Sequence, residues 1–133
     1  MGRFVDFSKE LNKPCGIHED GRRHYCIPKV YSPMPSWLFH NNGDGTFTDV
    51  SRDSGIANHL GKVWGAVATD INNDGLMDLW VSNDTAPNFL FVNRGKGKFD
   101  EIGTSAGVAY SDTGRARSGM GLDSADFENN GWM

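Results

Sequence analysis

The chain has 133 residues, room for one ordinary domain and hardly two. Its 38% of hydrophobic residues can build a packed core, whereas 17 glycines and five prolines are too many for a helical bundle and point to a turn-rich, strand-rich chain. A net charge of −4 argues against a nucleic-acid surface, which carries a basic stripe, and no apolar run approaches the roughly 18–20 residues of a membrane span.

Residues 1–35 are polar, punctuated by proline, and contain both cysteines. The opening Met1-Gly2-Arg3-Phe4-Val5-Asp6 has neither the long apolar stretch of a secretory signal nor the Ser or Thr at position six of a myristoylation signal. Cys15 and Cys26 combine with His18 and His24 into Cys-x2-His-x5-His-x-Cys. Three readings stand side by side: one disulfide, a tetrahedral zinc clasp, or free thiols.

From residue 36 onward the chain repeats itself. Leu38-Phe39-His40-Asn41-Asn42-Gly43-Asp44-Gly45-Thr46-Phe47-Thr48-Asp49-Val50 returns as Leu90-Phe91-Val92-Asn93-Arg94-Gly95-Lys96-Gly97-Lys98-Phe99-Asp100-Glu101-Ile102. Both copies run into a small-residue turn, Gly55-Ile56-Ala57 and Gly107-Val108-Ala109. A second motif, residues 64–75, reappears as 120–131, the longer spacing reflecting an insertion near 112–118. Short strands at such a period signal propeller blades. Strands are expected at 65–69, 77–82, 88–93 and 98–102, with Gly/Asn hairpin loops at 41–45 and 93–97. No sustained 3.6-residue apolar period supports a long helix. The expected fold is all-β: four-stranded antiparallel blades of an incomplete β-propeller. One full blade spans about 62–109, two strands of a preceding blade lie at 36–57, and a third blade opens at 118–133. On this reading the chain is a piece of a longer protein, because closure takes about four to eight blades.

The strongest chemical signal is Asp70-Ile71-Asn72-Asn73-Asp74-Gly75-Leu76-Met77-Asp78. Calcium takes six to eight oxygen ligands, and a tight loop supplies them from alternate positions, with glycine allowing the sharp turn. Asp70, Asn72 and Asp74 stand at positions one, three and five, the carbonyl of Leu76 at seven, and Asp78 at nine. Position twelve, which holds Glu in an EF-hand, is Val81 inside an expected strand, so the loop joins two strands. Crowded carboxylates repel without a cation, and the absence of nitrogen or sulfur donors disfavours zinc or copper here. Asp126, Glu128, Asn130 and Trp132 form a second, incomplete calcium loop whose ninth position would be residue 134. Asp44 and Asp49 are read as turn residues.

An inner strand, a D-x-N-x-D-G-x-x-D loop, a further strand, and L-F-x-N-N-G-D-G-T-F-T-D-V resemble the FG-GAP/VCBS repeat of integrin-α-like β-propellers. The phrase over residues 38–57, with a cysteine pair ahead of it, is similar to the secreted ASPIC/UnbV, cartilage acidic protein-like class. The resemblance covers about residues 13–133. It implies calcium in complete blade loops, an extracytoplasmic location (secreted, periplasmic or cell-surface) and a binding role, with no catalytic residues to carry over. Glu128 and Asn130 depart from the loop pattern. In an oxidising compartment a Cys15–Cys26 disulfide would persist.

Asn83-Asp84-Thr85 matches a glycosylation acceptor, and Trp37, Trp64, Trp80 and Trp132 read as packing residues. The expected function is a calcium-binding, non-catalytic binding or adhesion module with a protein or glycan partner and neighbouring blades of the same protein. The alternatives are the propeller part of a polysaccharide-processing enzyme, or a purely structural repeat.

Overall fold

The computed structural model describes residues 1–133. Its centre is a four-stranded antiparallel meander: β5 (Val63–Thr69), β6 (Asp78–Asn83), β7 (Phe89–Asn93) and β8 (Phe99–Glu101), paired in that order. Upstream lie β1 (Met34–Pro35), β2 (Phe39–Asn41), β3 (Phe47–Asp49) and β4 (Leu60–Gly61). Strands β2 and β3 form a hairpin, and β1 pairs with β4. The chain is thus all-β, with antiparallel sheets of two to four strands, as incomplete blades of a propeller. No helix is long and apolar enough to cross a membrane.

Valine, leucine and aromatic residues dominate β5–β7 because branched and planar side chains fit a pleated, half-buried surface. Between β5 and β6 the register shifts at Val63/Gly65, a bulge that sets Trp64 apart. Each expected strand is present, with its ends moved by one or two residues. The two hairpins follow one register: Phe39, His40 and Asn41 face Asp49, Thr48 and Phe47 as Phe91, Val92 and Asn93 face Glu101, Asp100 and Phe99. The bonds beyond the strands repeat too. Val50 N–H donates to Leu38 C=O as Ile102 does to Leu90, and Ala57 to Ser51 as Ala109 does to Gly103. Gly55 (φ 91°) and Gly107 (φ 75°) take the same left-handed turn, a conformation that costs a side-chain-bearing residue energy.

The half-blade packs on one face of the full blade. Ile56 follows Gly55 into a short 3-10 turn and meets buried Val81 and Phe91, with Leu38, Leu79 and Phe89 around them. A cavity of about 150 Å³ lies in this seam, lined by Trp37, Val63, Ala66 and the same apolar group. On the opposite face, Gly65 lies under the backbone of Gly121 and Leu122, and Gly119 N–H donates to Asn83 C=O. The expected third blade opening therefore sits beside β5, yet residues 119–133 contain no strand, only loop and turns after an isolated bridge at Ser118. Nothing in the chain pairs with 121–125 as β6 pairs with β5.

Only six hydrophobic residues are buried, and the accessible surface of 9090 Å² exceeds the about 6,900 Å² of a compact monomer of this mass. The four tryptophans do not form a core: Trp37, Trp64 and Trp132 are exposed, with Trp64 edge-on to Phe4 and Trp37 under the Arg3 guanidinium.

Ser51 links β2 to the turn after β3. Its hydroxyl accepts the Leu38 N–H and donates to Asp49, whose carboxylate also accepts the Ser51 N–H. The Ser51 hydroxyl, then its N–H, hold the Asp49 carboxyl below the usual range, with Arg52 helping. A depressed carboxylate pKa contributes stability that is present above the ordinary aspartate value and lost as pH falls through the folded one. Ser51→Ala should raise the Asp49 midpoint toward about 3.9 and shift acid unfolding to higher pH. Carboxyl NMR titration with melts between about pH 2 and pH 5 checks this; an unmoved midpoint would contradict it.

Candidate metal centre

The loop between β5 and β6 is built by its own side chains. Asp70 accepts the N–H groups of Asp74 (3.1 Å) and Gly75 (2.8 Å). Asn72 accepts the Asp74 N–H at 3.0 Å, and Asp74 accepts the Leu76 N–H at 2.8 Å and the Asn72 amide at 2.9 Å. Asn73 (φ 56°) and Gly75 (φ 84°) turn left-handed to aim these amides inward. Asparagine tolerates that conformation better than most residues.

Asp78 closes the loop differently. It is 0% exposed, and its two oxygens accept N–H groups from opposite sides: Ile71 at 3.0 Å in the loop and Asn93 at 2.8 Å at the end of β7. No cationic side chain pairs with it; the ion pairs are Arg22–Asp20, Arg94–Asp100 and Arg117–Asp112. The Thr69 hydroxyl oxygen, one residue before Asp70, is buried without a partner.

The second loop repeats this backbone. Asp126 accepts Asn130 N–H at 3.1 Å and Gly131 N–H at 2.6 Å, and Asn130 accepts Trp132 N–H at 2.9 Å. Asn129 (φ 52°) and Gly131 (φ 88°) match Asn73 and Gly75. The Gly131 N–H, followed by the other loop amides, holds the Asp126 carboxyl below the usual range. Glu128 and Asn130 bond to each other at 2.9 Å. Phe127, the counterpart of Ile71, is almost fully exposed. The loops touch through Asn73 Nδ2 and the Gly131 carbonyl, 3.2 Å apart.

As arranged, no three His, Cys, Asp or Glu side chains stand close enough together to hold a metal ion. Asp70, Asn72 and Asp74 share one loop interior, while Asp78 stands at its rear wall. Two contributors escaped sequence reasoning. Ile71 acts through its backbone, and Asn93 lies fifteen residues beyond Asp78, where its side chain also donates to Met77 C=O at 3.0 Å. Its one signal is Asn41 at the same hairpin position, which likewise accepts the following glycine N–H.

Other motifs resolve as follows. Asp44 accepts from Thr46, so it serves the turn, as Asp49 does. Asn83 is fully buried, its amide donating to Pro87 C=O at 2.6 Å, so it is no glycan acceptor in the folded chain. Cys15 and Cys26 form a disulfide.

The model of the FG-GAP-like repeat matches residues 20–81 and 70–133. The chain belongs to the FG-GAP-like repeat family. The first match reaches back into the cysteine-containing segment. The chain is also similar to cartilage acidic protein 1 from Homo sapiens, 33% identical over 98 residues, covering 71% of this chain and 14% of that protein. The Xenopus tropicalis protein of that name is 36% identical over 73 residues, 53% of this chain and 11% of the relative. The chain thus spans a small part of the length of the relatives it matches.

Removing the Asp78 carboxylate should unpair two interior amides. Asp78→Ala should cost on the order of 2–4 kcal/mol of unfolding free energy even with all divalent ions chelated, and Asp78→Asn less, since its amide oxygen still accepts. Denaturant unfolding in chelator measures this; a change below about 0.5 kcal/mol for Asp78→Ala would show that the carboxylate does not tie the blade together.

Proposed function

We propose that the chain is a calcium-binding segment of a β-propeller that serves an extracytoplasmic binding or adhesion module. The observation that carries the reading is Asp78: a fully buried carboxylate, without a cationic partner, closing a loop of oxygen donors. Burying an unpaired charge is costly, and a divalent ion offsets it. The donor set fits calcium. Asp70, Asn72, Asp74 and Asp78 with the Leu76 carbonyl are hard oxygen ligands, and each ionised carboxylate keeps lone pairs beyond those facing amides. The ion would neutralise the three carboxylates and fasten β5 to β6. Asp126, Glu128, Asn130 and the Trp132 carbonyl would supply the second, incomplete set.

The Cys15–Cys26 disulfide supports an oxidising compartment. The wide accessible surface supports cover by neighbouring repeats of a longer protein. We read the segment as non-catalytic because its grouped carboxylates already serve the loops, and assign it a protein or glycan partner.

Calcium titration by calorimetry should show binding that Asp74→Ala weakens strongly. Saturating calcium should raise the melting temperature, by about 2.7 kcal/mol in stability at a hundredfold excess over Kd, and chelation should reverse it. Unchanged affinity in the variant, or a melt indifferent to calcium, would overturn the assignment.

A further inference from the structure

The hairpin ahead of the repeats carries donors of another kind. Cys15 and Cys26 staple its base, Ile17 pairs with Arg23, and His24 N–H donates to Gly16 C=O at 3.0 Å. His18 N–H donates to Arg22 C=O at 2.7 Å, and Gly21 N–H to His18 C=O at 2.9 Å. In this antiparallel register Gly16 stands opposite His24 and Arg22 opposite His18, so both imidazoles leave the same face. Their ring centroids lie 3.6 Å apart, tilted by 32°. The His24 ring crosses Gly16 so closely that a Cβ there would sit 3.1 Å from Cδ2. Both histidines are exposed, and Asp20 is engaged by the Arg22 guanidinium and N–H. Neither imidazole takes part in a hydrogen bond of the hairpin.

With both sulfurs bonded to each other, a tetrahedral set of two cysteines and two histidines is ruled out. The two imidazoles remain, side by side and open to solvent. We propose that His18 and His24 form a two-nitrogen surface site for a divalent ion that prefers imidazole, copper(II) or zinc(II), with water at the other positions. Binding would require the two exposed rings to unstack and turn about their side-chain torsions, so that one in-plane lone pair of each meets a common ion. The disulfide and the cross-strand bonds already fix the hairpin, so little ordering remains to oppose binding. Calcium does not compete, because it selects oxygen donors, whereas imidazole suits zinc and copper, with copper the tighter by the Irving–Williams order. The competing use of the pair is packing alone, a ring covering a glycine across the strand.

The test is calorimetric titration of the full, disulfide-intact chain with copper(II) and with zinc(II) chloride, in saturating calcium. Electron paramagnetic resonance of the copper complex reads the bound nitrogens. One equivalent should bind, copper more tightly than zinc, with the resonance pattern of two imidazoles. His18→Ala and His24→Phe should each abolish saturation at the metal concentration that saturates the unaltered chain, although His24→Phe keeps a ring over Gly16. His40→Ala and His59→Ala should leave binding unchanged. Absence of binding to the unaltered chain, or full binding by His24→Phe, would overturn the proposal and leave the pair as packing; neither outcome bears on the calcium loops.

Discussion

The blade depends on one buried carboxylate. Asp78 is the first residue of β6, and its oxygens reach backward to the loop at Ile71 and sideways to the end of β7 at Asn93. The β5–β6 loop, the start of β6 and the end of β7 are thereby held at one point. The same burial leaves a negative charge with no basic side chain to meet it. In the reading proposed above, a calcium ion would meet that charge, and Asp70, Asn72 and Asp74 would turn toward the ion on binding. Structure and proposed chemistry thus meet at one residue: the Asp78 carboxylate that ties the blade together is also the buried charge a cation would offset.

The remainder of the fold is a unit used more than once. Hairpin register, the turns at Gly55 and Gly107, and the amides that Asp70 and Asp126 accept are reproduced. Two features are not reproduced. Residues 121–125 lie beside β5 without becoming a strand, and Phe127 is exposed where Ile71 is drawn in. Each blade face buries itself against the next blade. The accessible surface of this chain is 9090 Å².

Much of this was legible in the sequence, for particular reasons. The recurrence of Leu38–Val50 as Leu90–Ile102 is a direct readout of repeated architecture, and strand runs such as Leu79-Trp80-Val81 are bounded by Gly and Asn turns. The loop pattern at Asp70–Asp78 announced an oxygen-rich turn because its spacing alternates. The roles of Ile71 and Asn93 were hidden, since a backbone amide leaves no residue-type signature and Asn93 comes from another strand. The burial of Asn83 agrees with its place at the end of a strand, which already spoke against a glycan there, whereas the exposure of Trp37, Trp64 and Trp132 is not marked by residue type. Between a disulfide and a zinc clasp the spacing of Cys15, His18, His24 and Cys26 could not decide; the closeness of the two sulfurs does.

The central claim, that the buried Asp78 carboxylate is matched by calcium, is tested most directly by anomalous diffraction from crystals of the chain grown in calcium. The account predicts an anomalous peak between β5 and β6, within about 2.3–2.6 Å of oxygens from Asp70, Asn72, Asp74, Asp78 and the Leu76 carbonyl. A fully ordered loop with no such peak, its carboxylates facing only backbone amides, would contradict it.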